Sequence, residues 1–168
     1  LPLQATLESV GLEQLTRLRG GFTAGPDPRP LMRLAGVAAF GPLICYEAIF
    51  PGAVVQGSER PAFLVNVTND GWFGNSTGPR QHLHQARVRA VEEGIPILRV
   101  ANNGISAVIN TRGEIVASLG LDVVGVIDAN VPTAADPPPY ARYGDLAFFL
   151  LFAAGAVGLI SRSAMSRH

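Results

Sequence analysis

The middle of the chain alternates strand and helix signals before it becomes a meander, and that order restricts it to an α/β fold. Ala62 to Val67 is an apolar, β-branched run of the kind buried on both faces of a sheet, closed by the turn residues Asn69-Asp70-Gly71. The spacing then predicts a helix from about Pro79 to Glu93, with Ser76 or Thr77 to cap it, proline in its first turn and Gly94 to end it. Ile95 to Ala101 and Ile105 to Asn110 read as strands joined through Asn102-Asn103-Gly104, the Asn-Gly pair being a strong hairpin signal. Thr111-Arg112-Gly113 makes another turn, and Glu114 to Ser118 and Val123 to Val131 read as two further strands. Ahead of these, Leu34 to Cys45 is apolar with a break at Gly41-Pro42, so it reads as two short buried strands or one bulged strand and leaves Cys45 at a strand end. Gly52 to Gly57 reads as a brief helical segment. Leu7 to Leu18 reads as an amphipathic stretch, and Gly20 to Pro30 as a loop rich in glycine and proline.

The chain has 168 residues, 48% of them hydrophobic and 15% charged, a balance that excludes disorder. Thirteen basic and thirteen acidic residues cancel, so no basic field draws in phosphates and nucleic acid is not expected as a partner. All the basic residues are arginine; the chain contains no lysine. Its single cysteine, Cys45, cannot form an internal disulfide, and its thiol is read as free. The opening Leu1-Pro2-Leu3 lacks the charged and apolar regions of a secretory signal, and the sequence reads as a piece of something longer.

Composition changes sharply after Pro132 to Arg142, a linker in which Pro137-Pro138-Pro139 enforces an extended path. Leu146 to Ile160 is fifteen consecutive uncharged, almost wholly apolar residues. At ~1.5 Å per residue a helix of that length covers roughly 22 Å, short of the ~30 Å hydrocarbon core, so a buried core helix is one reading and a membrane span the other. Context favours the span: it follows a proline spacer, Tyr140 and Tyr143 stand at interface positions, and Arg162, Arg167 and His168 follow it. Arginines just beyond a span mark the cytoplasmic side and put the preceding domain on the opposite face. The expected organisation is therefore the C-terminal part of an α/β domain over residues 1–138, then a linker, a transmembrane helix and a short cytoplasmic tail over 139–168.

Cys45 stands between a strand and the turn Ala48 to Gly52, followed by Tyr46 and Glu47. Taken alone it is either a small buried hydrophobe or a nucleophile exposed at a sharp corner. A nucleophilic role needs a nearby base or positive field to form the thiolate, and donors for a tetrahedral intermediate; the Tyr46 N–H follows the sulfur and would supply one. Gly74 to Gly78 matches the G-x-S-x-G pattern of serine hydrolases, but a loop separates it from the strand and the order Ser, Asp, His is met only by His168. His82 and His84, two apart, point to different sides of a helix and read as helix-surface residues rather than metal ligands. Arg80, Arg87 and Arg89 would face solvent or lipid phosphate. Trp72 and Phe73 follow a turn and would either stand exposed, along a ligand route or against a bilayer surface, or pack in the core.

Gly41-Pro42-Leu43-Ile44-Cys45-Tyr46-Glu47 resembles the nucleophile segment of the nitrilase, or carbon–nitrogen hydrolase, superfamily. Together with Phe50-Pro51, Asn69-Asp70-Gly71-Trp72-Phe73-Gly74, Ser76-Thr77-Gly78-Pro79, Gln81-His82, Arg87, Arg89-Ala90, Glu92, Arg99, Asn102-Asn103-Gly104 and Ser106, it is similar to the apolipoprotein N-acyltransferases. That resemblance implies an α/β chain forming the C-terminal part of a nitrilase-like α-β-β-α sandwich, followed by one transmembrane helix. It implies a bacterial inner-membrane enzyme with a periplasmic catalytic domain, which moves a fatty acyl chain from a phospholipid, through a cysteine thioester, to the α-amine of an apolipoprotein's diacylglyceryl-cysteine. Cys45 maps onto the nucleophile, Tyr46 and Glu47 onto its supports, and Asn69, Trp72 and Phe73 are substrate-binding candidates; no metal or cofactor is implied. The general-base glutamate, the oxyanion lysine and a further glutamate of the family all lie upstream of the matching segment. The isolated chain is therefore expected to be inactive. A soluble-type amidase or nitrilase, and a non-catalytic lipid-binding remnant, are the competing readings.

Overall fold

A computed structural model describes residues 25–165; the expectations for Leu7 to Leu18 and the first five residues of Gly20 to Pro30 lie outside them, as do Arg167 and His168. Six strands form one mixed sheet in sequence order: β1 (Met32–Leu34), β2 (Val37–Ile44), β3 (Phe63–Asn69), β4 (Ile97–Asn102), β5 (Ser106–Ile109) and β6 (Ile115–Leu119). The central strands β2, β3 and β4 are parallel, and β1, β5 and β6 pair antiparallel at the two sides. The α/β reading holds. β2 runs unbroken through Gly41-Pro42, and the expected break falls earlier, at the β1–β2 turn with Gly36 at φ +76°.

The crossover from β3 to β4 is helix α1 (Gly78–Glu93), which begins with proline at its first turn and ends at Gly94 in the left-handed conformation. Ser76 Oγ accepts from the Gly78 N–H at 3.1 Å at its start. Small residues on its inner side let it lie close to the sheet: Ala86 and Ala90 are fully buried with Leu83, against Leu43, Leu64, Ile97, Ala107 and Ile109.

Because side chains alternate across a strand, the parallel register sorts residues into rows. Leu43, Asn66 and Arg99 share a row on the α1 side, and Ile44, Val67 and Val100 share the next row on the opposite face. The first row is buried throughout, whereas the second is 66%, 47% and 58% exposed. The strand Ala62 to Val67 therefore buries one face fully and the other in part.

Three expectations are corrected. Gly52 to Gly57 is not helical; two glycines with positive φ, +66° and +78°, break any helical run there. Val123 to Val131 pairs with no strand among the described residues, and Val124 and Val126 stand free in solvent. The linker is docked rather than merely extended: the Ala135 N–H donates to the Gly94 carbonyl at 2.9 Å, Arg60 donates to the Ala135 carbonyl at 3.2 Å, and the third proline of the run starts a short helix, α2 (Pro139–Tyr143).

The apolar run lies in helix α3 (Leu146–Met165), whose Phe148, Phe149, Leu150, Leu151 and Phe152 are each more than 60% exposed. A core helix would bury these side chains, and nothing among the described residues covers them. Among the described residues no helix is long and apolar enough to cross a membrane.

Glu93, at the end of α1, is buried, and desolvation pushes its carboxyl above the usual 4.5, with the Arg60 guanidinium opposing the shift. The folded state thus holds this proton to higher pH than the unfolded state, and stability falls as pH rises from 4.5 through the raised value. Glu93→Gln is expected to leave stability unchanged below that window and to raise it above, with Glu92, also raised by burial, keeping a residual slope. Thermal unfolding at about pH 4 and about pH 7 measures the difference.

Candidate active site

β2 ends at Ile44, and the next residue reverses the chain. Cys45 has φ +51°, a left-handed conformation rare and strained for a residue with a side chain, and it opens a 3-10 turn over Cys45–Ile49. The sulfur therefore sits on a sharp corner at the carboxyl end of a central parallel strand, where open α/β sheets bind ligands. Its residue is half-buried and the thiol is free.

Two side chains hold the corner. Glu47 reaches back so that its Oε2 accepts the Ile44 N–H at 2.6 Å, while its Oε1 lies 3.6 Å from Arg29 Nη2. Arg29 in turn donates to the Pro42 carbonyl at 3.1 Å, and an open cleft of about 440 Å³ beside it is lined by Arg29, Pro42, Ile44 and Glu47. From the other side the Asn66 amide donates to the Cys45 carbonyl at 3.2 Å and, at 3.4 Å, to that of Leu43.

Asn66 belongs to a buried polar cluster. Arg99 donates through Nη1 to Asn66 Oδ1 at 2.5 Å and through Nη2 to Asp70 Oδ2 at 2.7 Å. Asp70 Oδ1 accepts from Thr68 Oγ1 at 3.1 Å and from His82 Nδ1 at 2.9 Å. Desolvation lowers the pKa of the Arg99 guanidinium; the Asp70 carboxylate works against that, as does, more weakly, a charged Cys45. His82 is thus not a helix-surface residue: it is 1% exposed, and its ring stacks on Tyr46 at 4.9 Å between centroids. Arg89, also expected on the surface, is buried, bonded to the Ile49 carbonyl at 3.3 Å and to Glu92 at 2.9 Å.

Of the substrate-binding candidates, Phe73 reaches the corner, 5.9 Å from the Tyr46 ring, and Gly78 leaves it room, since a Cβ there would lie 2.6 Å from the Phe73 ring. Trp72 is 86% exposed and Asn69 is occupied in its own turn, accepting from the Gly71 N–H at 3.0 Å. Asn66 and Arg99 were legible as polar residues inside apolar strand runs, since a polar group in a buried strand needs a partner. Among the described residues no cluster of His, Cys, Asp and Glu is set to hold a metal.

Residues 7–135 match the family model of the carbon-nitrogen hydrolases. The chain belongs to this family. Among relatives of this carbon-nitrogen hydrolase, the apolipoprotein N-acyltransferase of Bradyrhizobium diazoefficiens is 54% identical over all of this chain and 31% of its own length. That of Brucella suis is 44% identical over all of this chain and 32% of its own. The chain thus spans about a third of the length of these relatives. Among solved structures, an amidase from Nesterenkonia sp. aligns over 62% of this chain and 41% of its own, at 21% identity and a TM-score of 0.43.

Gly104 touches the cluster from the β4–β5 turn, where a Cβ would lie 2.7 Å from Asp70 Cβ. Because Asp70 is fixed by three partners, Gly104→Ala is expected to cost roughly 1–3 kcal/mol, read as a fall in the thermal midpoint of unfolding.

Proposed function

We propose that this chain is the cysteine-bearing part of an apolipoprotein N-acyltransferase, with Cys45 as the residue that carries the acyl group. The observation that carries this reading is the 54% identity, over the whole chain, to a relative of that name, joined to a free thiol on a strained corner. In the first step a base takes the Cys45 proton and the thiolate attacks an ester carbonyl of a phospholipid. The tetrahedral intermediate collapses, the C–O bond breaks, and the lysophospholipid alkoxide leaves with that proton. In the second step the α-amine of the apolipoprotein's N-terminal diacylglyceryl-cysteine attacks the thioester. The C–S bond breaks, an amide forms, and the amine's proton goes to the base as the thiolate is restored.

Within this reading the Tyr46 N–H helps bind the oxyanion, Glu47 holds the backbone that presents it, and Phe73 and Trp72 form the apolar approach for the acyl chain. Asn69 acts through the turn that carries them. The base and the oxyanion lysine are supplied from outside this sequence, which has no lysine of its own. Helix α3 is the membrane anchor: exposed phenylalanine and leucine side chains suit lipid, and Tyr140 and Tyr143 suit its interface. The catalytic domain then lies on the periplasmic side of a bacterial inner membrane, and a second sheet completes the sandwich over the open face of this one. The exposure of α3 favours this reading over a soluble amidase.

Incubation with phospholipid vesicles carrying a labelled acyl chain tests the proposal. The full-length protein is expected to trap label as a hydroxylamine-sensitive thioester, and its Cys45→Ala variant to trap none. Residues 1–168 alone are expected to label at least about 100-fold more slowly, the cost of a missing oxyanion donor. Undiminished labelling of the Cys45→Ala variant would sink the assignment.

A further inference from the structure

We propose that Asn66 is a positioning residue for the nucleophile corner, and that the buried Arg99–Asp70 pair fixes which way its amide faces. The local geometry leaves little choice. A side-chain amide has one acceptor and one donor end, and Asn66 presents its oxygen to Arg99 at 2.5 Å and its nitrogen to the carbonyls of Cys45 and Leu43. Arg99 can only donate, so it dictates that orientation, and Arg99 is itself fixed by Asp70, which His82 and Thr68 hold. Asn66 and Arg99 are both buried, so water does not compete for the bond between them.

The carbonyl that Asn66 grips belongs to the strained residue. A left-handed residue persists where its surroundings over-determine it, and the two groups that do so here, Glu47 on the Ile44 N–H and Asn66 on the Cys45 carbonyl, act on either side of Cys45. The same cluster reaches Tyr46 by a second route, since His82, bonded to Asp70, stacks beneath its ring. The peptide that joins Cys45 to Tyr46 is therefore held at its carbonyl by Asn66, and the next ring is held by His82. Asn66 touches no reacting atom; it acts through the backbone.

The kinetic half of the proposal rests on the acyl-transfer reading, and the structural half does not. In the full-length protein, Asn66→Ala and the isosteric Asn66→Asp are compared with Thr68→Val, which removes a bond to Asp70 without touching the corner. Amide hydrogen exchange followed by mass spectrometry reads the corner directly. Both Asn66 variants are expected to exchange at least tenfold faster over residues 44–49, with residues 78–93 unchanged, and Thr68→Val is expected not to single out the corner. With the labelled phospholipid, kcat for thioester formation is expected to fall roughly 100-fold while KM stays within about twofold, as for a displaced nucleophile. Unchanged exchange at 44–49 in Asn66→Asp overturns the proposal, as does an equal rise across 44–49 and 78–93. If the unsubstituted protein forms no thioester, the acyl-transfer reading fails and the exchange result still decides the role of Asn66.

Discussion

A guanidinium and a carboxylate buried together lose several kcal/mol of hydration each, and their attraction offsets this only when geometry is good and the remaining donors and acceptors are matched. Arg99 and Asp70 meet that condition in most respects: they pair at 2.7 Å with no exposed side-chain surface, Asp70 gains Thr68 and His82, and Arg99 gains Asn66. Arg99 Nε has no partner among the described residues. A buried pair of this kind adds little net stability, since apolar residues of the same volume do as well, whereas removing one partner costs about 3–5 kcal/mol. Its effect is on specificity of arrangement. It ties together β3, β4, α1 and the loop after β3, the elements that surround Cys45.

The corner itself stores strain, and the fold provides for it locally. An apolar residue in place of Asn66 would remove the amide bonds to the Leu43 and Cys45 carbonyls; an alanine at Gly78 would displace Phe73 from the aromatic group around Tyr46. The parallel order of β2, β3 and β4 matters here because all three strands end on the same side, so Cys45, the turn after Asn69 and the hairpin after Asn102 converge. A nucleophile at that edge sees backbone amides and turn residues rather than packed side chains.

Local signals made α1, the β4–β5 hairpin and the strand-end position of Cys45 legible, because caps, prolines and an Asn-Gly pair act over a few residues. The motifs around Cys45 made the family legible, where Cys45 alone left its role open. What sequence reading missed has a common cause. His82 and Arg89 were assigned to a helix surface because each is a polar residue on a helix; yet the face turned to the sheet is lined partly by charged groups whose partners come from the loop after β3, from β4 and from the turn after Cys45, up to 40 residues distant. Such pairing has no periodic signature. Val123 to Val131 failed for the converse reason: its residues suit a strand, but strand formation requires a neighbour, and the described residues offer none.

The exposed row Ile44, Val67 and Val100 lies directly beside the proposed nucleophile, since Ile44 is the residue before Cys45. Whatever covers that row sets the dielectric around the sulfur. With water over it, a charge 4 Å away acts on the thiolate with about 1 kcal/mol; under an apolar cover the same charge counts several times more, and a developing oxyanion gains as much from the donors aimed at it. The corner can thus be correctly shaped in this chain and still be chemically weak. Shape is set by Asn66, Glu47 and the buried Arg99–Asp70 pair, all within the chain, while the strength of the field that the shape directs depends on excluding solvent from the face that Ile44 leaves open.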